Sequence, residues 1–195
     1  MVEDEAQMPV VAAAEGTAGH GTAGHGTAGQ GTVGQGTGPA AGAATVSGGA
    51  VAWGHFERAA PELAAEVRER FGVRKHCTMA TLRRDGSPRI SGTEVELSDG
   101  QLWTGSMPGA QKALDLRRDP RLAIHSPTVD PPPGDDSGWV GEAKVAGLAV
   151  EQEPREDGHR FRIDLTEVVL TRVEGDELVV TSWHPARGVQ ERRRR

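Results

Sequence analysis

Ser106, Pro108 and Lys112 carry the spacing with the clearest chemistry in this 195-residue chain. They lie within Leu102-Trp-Thr-Gly-Ser-Met-Pro-Gly-Ala-Gln-Lys-Ala-Leu-Asp-Leu-Arg-Arg-Asp-Pro120. That stretch reads as a strand ending at Thr104-Gly105, a helix start, and a short basic helix stopped by Pro120. Ser106 stands where an N-cap belongs, and Pro108 falls in the first turn, where a missing N–H costs nothing. Helix starts leave N–H groups unpaired and carry positive dipole charge, so they accept phosphate readily. Lys112, one turn in, adds a full charge beside that nest. The plain alternative is an ordinary capped helix with a solvated lysine, and the stretch by itself does not separate the two.

Other chemistries find little support. No Gly-x-Gly-x-x-Gly opens a helix, and no Gly-x-Ser-x-Gly marks a nucleophile elbow. His55, His76, His125, His159 and His184 are scattered rather than spaced as metal ligands, so no metal site is expected. Cys77, the one cysteine, excludes an internal disulfide, fits a reducing cytoplasm, and sits in an apolar run as an inert thiol. The formal net charge is −6, but four acids lie in the first fifty residues; past them 24 acidic side chains face 22 basic ones. That balance leaves no nucleic-acid footprint.

The first fifty residues form a tail. Gly16-Thr-Ala-Gly-His20 recurs in close copies from Gly21, Gly26 and Gly31, and such a tract has almost nothing to bury. His20 and His25 hold metal poorly on so floppy a chain. No Lys or Arg precedes Arg58, so a secretory or transit leader is not expected, and no apolar run is long enough to span a bilayer. The expected division is a disordered tail over 1–52 and one cytoplasmic domain over 53–195.

The elements that must position Ser106 and Lys112 follow from periodicity. Leu63, Val67 and Phe71 recur every four residues, so Phe56 to Phe71 is expected to be helical, with Gly72 as its stop. His76 to Leu82 reads as a strand, Asp85-Gly86 as a hairpin turn, Arg89 to Leu97 as the return, and Ser98-Asp-Gly100 as a second turn into Leu102-Trp-Thr. Arg121 to Ser126 follows as a strand, and 127–138 as an irregular loop around Pro131-Pro-Pro133. Trp139 to Val150 resumes the sheet, with Gly141 and Gly147 marking bulges or close approaches. Phe161 to Val173 and Leu178 to Trp183 complete about seven strands against two helices, and Arg192 to Arg195 reads as a charged tail. The fold class is mainly β (α+β): an antiparallel β-barrel with flanking helices.

Thr78-Met-Ala-Thr-Leu82, Asp85-Gly-Ser-Pro-Arg-Ile-Ser91, Asp99-Gly-Gln-Leu-Trp103, Gly105-Ser-Met-Pro-Gly-Ala-Gln-Lys112 and Asp115-Leu-Arg-Arg-Asp-Pro120 occur in that order. With Gly141-Glu-Ala-Lys-Val-Ala-Gly147, Phe161-Arg-Ile-Asp164 and Trp183-His-Pro-Ala-Arg-Gly188, the series resembles the pyridoxamine 5′-phosphate oxidase-like family over about residues 55 to 190. Those proteins are split-barrel flavin and deazaflavin binders. The resemblance implies Ser106 and Lys112 as phosphate ligands, Gln111 near the ring system, and Arg89 and Ser91 approaching phosphate or flavin. It also implies a cofactor site at a two-fold homodimer interface, closed by C-terminal residues that map onto Trp183 and Arg187. Trp103 and Trp183 are the available ring walls, although Trp103 also suits plain strand core.

The implied activity is FMN-dependent oxidoreduction of a small-molecule substrate. The alternatives are an F420-dependent reductase, using Arg83, Arg84 and Arg89 as a basic groove, and a non-catalytic flavin- or haem-binding protein. Vitamin B6 oxidation itself is not expected, because the chain has no Tyr and its late motif lacks an Arg-x-His pair. No catalytic acid or base is assigned; His184 is the nearest candidate.

Overall fold

The computed structural model describes residues 49–153 and 158–195. The expected tail over 1–52 lies outside the described residues as far as 48. Of its last positions, Val51 exchanges two backbone hydrogen bonds with Leu165. Among the described residues no helix is long and apolar enough to cross a membrane.

Eight strands form one antiparallel sheet: β1 (His76–Leu82), β2 (Pro88–Ser98), β3 (Gln101–Ser106), β4 (Arg121–His125), β5 (Glu142–Glu151), β6 (His159–Glu174), β7 (Glu177–His184) and β8 (Gly188–Arg194). Their order is β3-β2-β1-β4-β5-β6-β7-β8, and a further pairing of β3 with β6 closes the first six into a barrel. β6 makes this possible by its length. Its first residues pair with β3, with Ser106 opposite His159 and Leu102 opposite Ile163, while Val168 to Glu174 pair with β7. β5 runs along most of it, with a register shift between Ala146 and Gly147 where the Gly147 backbone lies against the Asp164 carbonyl.

The helices cover the barrel. α1 (Trp53–Ala59) and α2 (Pro61–Gly72) replace the single helix expected from Phe56 to Phe71. The reason is Pro61: the residue before a proline is pushed out of the α region, and Ala60 has φ −148° and ψ 68°. Pro61 itself opens α2, where its fixed φ suits the first turn. Trp53 and Phe56 of α1 and Leu63, Val67 and Phe71 of α2 join Met79, Leu102, Ile124, Ile163, Leu165 and Leu170 of the strands in one core.

Two further expectations are corrected. The helix after β3, α3 (Gln111–Arg118), does not start at Ser106; Ala110 holds the cap position without a side-chain cap bond. Met107 to Ala110 instead form a turn, in which the Ala110 N–H donates to the Met107 carbonyl at 3.2 Å and Gly109 has φ 72°. Proline followed by a glycine at positive φ is the signature of a type II turn, and this pair overrides the capping pattern. The terminal arginine run is no loose tail either. It belongs to β8, paired with β7 from Gly188 to Arg194. Arg193 bridges Glu174 of β6 at 2.8 Å and Glu177 of β7 at 3.4 Å, so cross-strand ion pairs carry a strand with almost no apolar content.

Candidate functional site

An open cleft of about 620 Å³ lies at one end of the barrel, between β2, β3, the start of β6 and the first turn of α3. Alternation along β3 puts Leu102, Thr104 and Ser106 on one face. Leu102 and Thr104 are buried, so Ser106 continues an inward-facing row out to the barrel rim. Its Oγ is buried and has no hydrogen-bond partner among the described residues. Below it Thr104 is fully engaged, its Oγ1 lying 2.6 Å from that of Thr93 and donating to the Glu94 carbonyl at 3.0 Å.

Lys112, the second residue of α3, reaches across the cleft. Its Nζ donates to the Gly92 carbonyl at 2.7 Å, leaving donor capacity directed at the cleft it lines. Burial lowers its ammonium from the ordinary lysine range, and the Glu94 carboxylate opposes that shift. A fixed cation thus stands at the start of a helix, on the same cleft as an unpartnered hydroxyl.

The opposite wall is made by β6. Gly158 has φ 142°, and a Cβ there would collide with the Ser106 carbonyl oxygen, so only glycine lets the start of β6 press onto the end of β3. His159 follows directly. Its Nδ1 lies 2.9 Å from Glu151 Oε1, its Nε2 is buried without a partner among the described residues, and its ring stacks at 6.3 Å on that of Phe161. Glu151 in turn accepts both prongs of the Arg117 guanidinium, each at 2.7 Å. The Arg117 fork is the main reason its carboxyl lies below the usual range, ahead of the opposing effect of burial and the added bond from His159. Arg160 turns to the other face and lies 4.3 Å over the Trp103 ring, with Glu96 at 3.5 Å. Trp103 lines the cleft, half-buried, with its Nε1 unpartnered.

Of the residues singled out from the sequence, Ser106 and Lys112 meet in this cleft. The others lie elsewhere on the protomer. Arg89 donates from Nε to Asp115 at 2.6 Å, which fastens β2 to α3 instead of reaching the cleft. Ser91 shares that face of β2, half-buried, outside the cleft lining. Gln111 is exposed at the first position of α3 and outside the lining. Trp183 is 2% exposed, with its ring 4.9 Å from that of Phe56, so α1 covers the surface that a cofactor ring would need. Arg187 is exposed in the turn between β7 and β8. His184 faces Glu167 at 3.3 Å.

His159 and Arg160 are the residues that sequence reasoning missed. A signal for His159 was present: counting back from Leu165, Ile163 and Phe161 puts it on the same inward face, a histidine at the head of an apolar row. Its place opposite Ser106 depends on the β3–β6 register, which no local pattern encodes.

No family model matches the chain, and no curated protein matches it. Among solved structures it is similar to PhzG from Burkholderia lata 383, determined in complex with tetrahydrophenazine-1-carboxylic acid. The identity is 10% and the TM-score 0.51, over 69% of this chain and 89% of that one. It is also similar to ChuZ from Campylobacter jejuni, at 10% identity and TM-score 0.51 over 67% of this chain and 62% of that one. A weaker likeness is to a pyridoxamine 5′-phosphate oxidase-related, FMN binding protein from Nostoc punctiforme, at 11% identity and TM-score 0.49, over 70% and 96% of the two chains. At these identities the likeness is one of fold.

Proposed function

This chain has the split β-barrel fold of the pyridoxamine 5′-phosphate oxidase-like proteins, and on that premise we propose that it binds FMN and acts as an oxidoreductase on a small-molecule substrate. The observation that carries the reading is the unpartnered, buried Ser106 hydroxyl on the same cleft as the Lys112 ammonium at the start of α3. A phosphate wants a fixed cation and oriented donors in a site with little water, and this end of the cleft supplies them. FMN, when bound, provides a hydride acceptor and donor, so the protein need supply only binding, orientation and electrostatics. In this reading Ser106 donates to a phosphate oxygen, and Lys112 keeps one proton on Gly92 while offering the others to the phosphate. Trp103, backed by Arg160, is the aromatic surface available to the ring.

A homodimer belongs to the same proposal. Met107 at the cleft mouth and Ile90 on β2 are 79% and 72% exposed, which is apolar area suited to a second copy. Arg187 is free to reach a neighbouring site in such a dimer. The deazaflavin F420 is the competing cofactor on this fold. Its basic groove is less well supplied than the sequence suggests, because Arg89 is bound to Asp115 and Arg83 donates to the Pro88 carbonyl at 2.5 Å.

The test is an absorbance spectrum of the purified protein, followed by titration with FMN, riboflavin and F420. Saturable FMN binding is expected, weakened about tenfold or more in Lys112→Ala, since a charged hydrogen bond contributes roughly 1.5–3 kcal/mol. Riboflavin, which lacks the phosphate, should bind wild type and variant alike. Uptake of F420 alone would change the enzyme class, and uptake of none would remove the reading.

A further inference from the structure

We infer that His159 is a third ligand of the anion held in this cleft, its Nε2 facing the oxygen that also meets Ser106. The inference rests on reading the cleft as a phosphate site and adds a ligand from a different strand.

Three observations converge on it. First, Ser106 and His159 are direct partners across the β3–β6 ladder, so their side chains stand side by side on one face. Second, Ser106 Oγ and His159 Nε2 are both buried with no hydrogen-bond partner among the described residues. A buried polar atom left unpaired costs free energy, and two on paired residues are met most simply by a single ligand group between them. Third, Glu151 of β5 holds the imidazole by Nδ1, which leaves Nε2, on the far side of the ring, for a ligand of the cleft that His159 lines.

The charge balance favours an anion over a neutral donor. Glu151 is engaged bidentately by Arg117, so the carboxylate is compensated before it touches His159. It therefore holds the ring in place as a carboxylate already paired with a guanidinium. The remaining charged groups on the cleft are Lys112 from α3, Glu94 and Glu96 from β2, His76 from β1, and Arg160. Lys112 is tied to Gly92, and Arg160 lies over Trp103 beside Glu96. His159 is thus the group opposite Ser106 with an open polar atom. Gly158 serves the same end, since its bare Cα lets β6 approach β3 closely enough to set the two side chains together.

The experiment follows the His159 ring ¹⁵N signals by NMR while the full chain is titrated with inorganic phosphate and then FMN. In parallel, FMN and riboflavin affinities are measured for wild type, His159→Gln and Glu151→Gln. The expected result is a saturable shift of Nε2 with both phosphate and FMN. FMN affinity should fall about tenfold in His159→Gln and by a smaller factor in Glu151→Gln, with riboflavin affinity and the melting transition unchanged. If phosphate moves Nε2 but no flavin binds, the flavin reading fails and the anion site stands. Three results would overturn the inference: an Nε2 signal indifferent to both ligands, a His159→Gln protein that binds FMN like wild type, or equal loss of FMN and riboflavin affinity.

Discussion

Asp115 is 3% exposed on α3, and its carboxylate gathers three donors: Thr81 Oγ1 at 3.0 Å, Arg89 Nε at 2.6 Å and Arg118 Nη2 at 3.1 Å. Burial raises its pKa, but the bonds from Arg89, Arg118 and Thr81 outweigh that and leave it lowered. It fastens the helix that carries Lys112 to the strands behind it. Removing one partner of a buried pair leaves the others uncompensated, so Asp115→Asn should lower unfolding stability by roughly 3 kcal/mol. Because the folded-state pKa is the lower one, this contribution is fully present above the ordinary aspartate value of 3.8 and is lost as pH falls through the folded value. Urea unfolding of both proteins across acid pH should show the gap between them closing below about pH 4; a gap constant with pH would refute the assignment. The legible and the illegible divide sharply at this scale. The nearness of Ser106 and Lys112 was readable because they stand only six residues apart across one turn, and both line the cleft. Arg89, Trp183 and His159 were not, because each is decided by a distant partner: Asp115, Phe56 and Ser106.

At the scale of elements, local punctuation was the reliable guide. Asp85-Gly86 and Ser98-Asp-Gly100 were read correctly as tight turns because backbone sign and hydrogen bonding there depend on two or three residues. The same physics misled where two local signals competed, as with Pro108-Gly109 against a Ser106 cap, and where Pro61 cut a continuous apolar stripe. β8 escaped notice because strand recognition leans on apolar alternation, and its strand is held by ion pairs with β7 and with Glu174 of β6. The β3–β6 contact invites a direct test. Gly158→Ala adds a methyl where only the Ser106 carbonyl has room, at a φ that side chains rarely adopt. The variant should unfold with about 2–3 kcal/mol less stability and lose FMN affinity together with it. A melting transition equal to wild type would show that β6 does not need the close approach.

For the molecule as a whole, the sequence separates a repetitive Gly/Thr/Ala tract from a chain able to build a core. Val51, near the start of the described residues, is tied to the barrel by its bonds to Leu165. Deleting residues 1–48 is therefore expected to leave the melting transition, the FMN affinity and a dimeric mass by light scattering unchanged. A lost transition, or a monomeric mass in either form, would sink the corresponding part of the proposal. The barrel class itself was legible from the count of short strands and the lack of a βαβ rhythm. The closing pair was not, since it joins segments far apart in sequence. That separation has a kinetic side. β1, β2 and β3 can assemble as neighbouring hairpins, whereas β3 meets β6 only by closing a loop of about fifty residues between Ser106 and His159, the slower step on entropic grounds. The cleft, with one wall on each of those strands, comes into being only with that step. A bound ligand can accordingly slow the opening of the finished barrel, but it has nothing to grip while the barrel is being built.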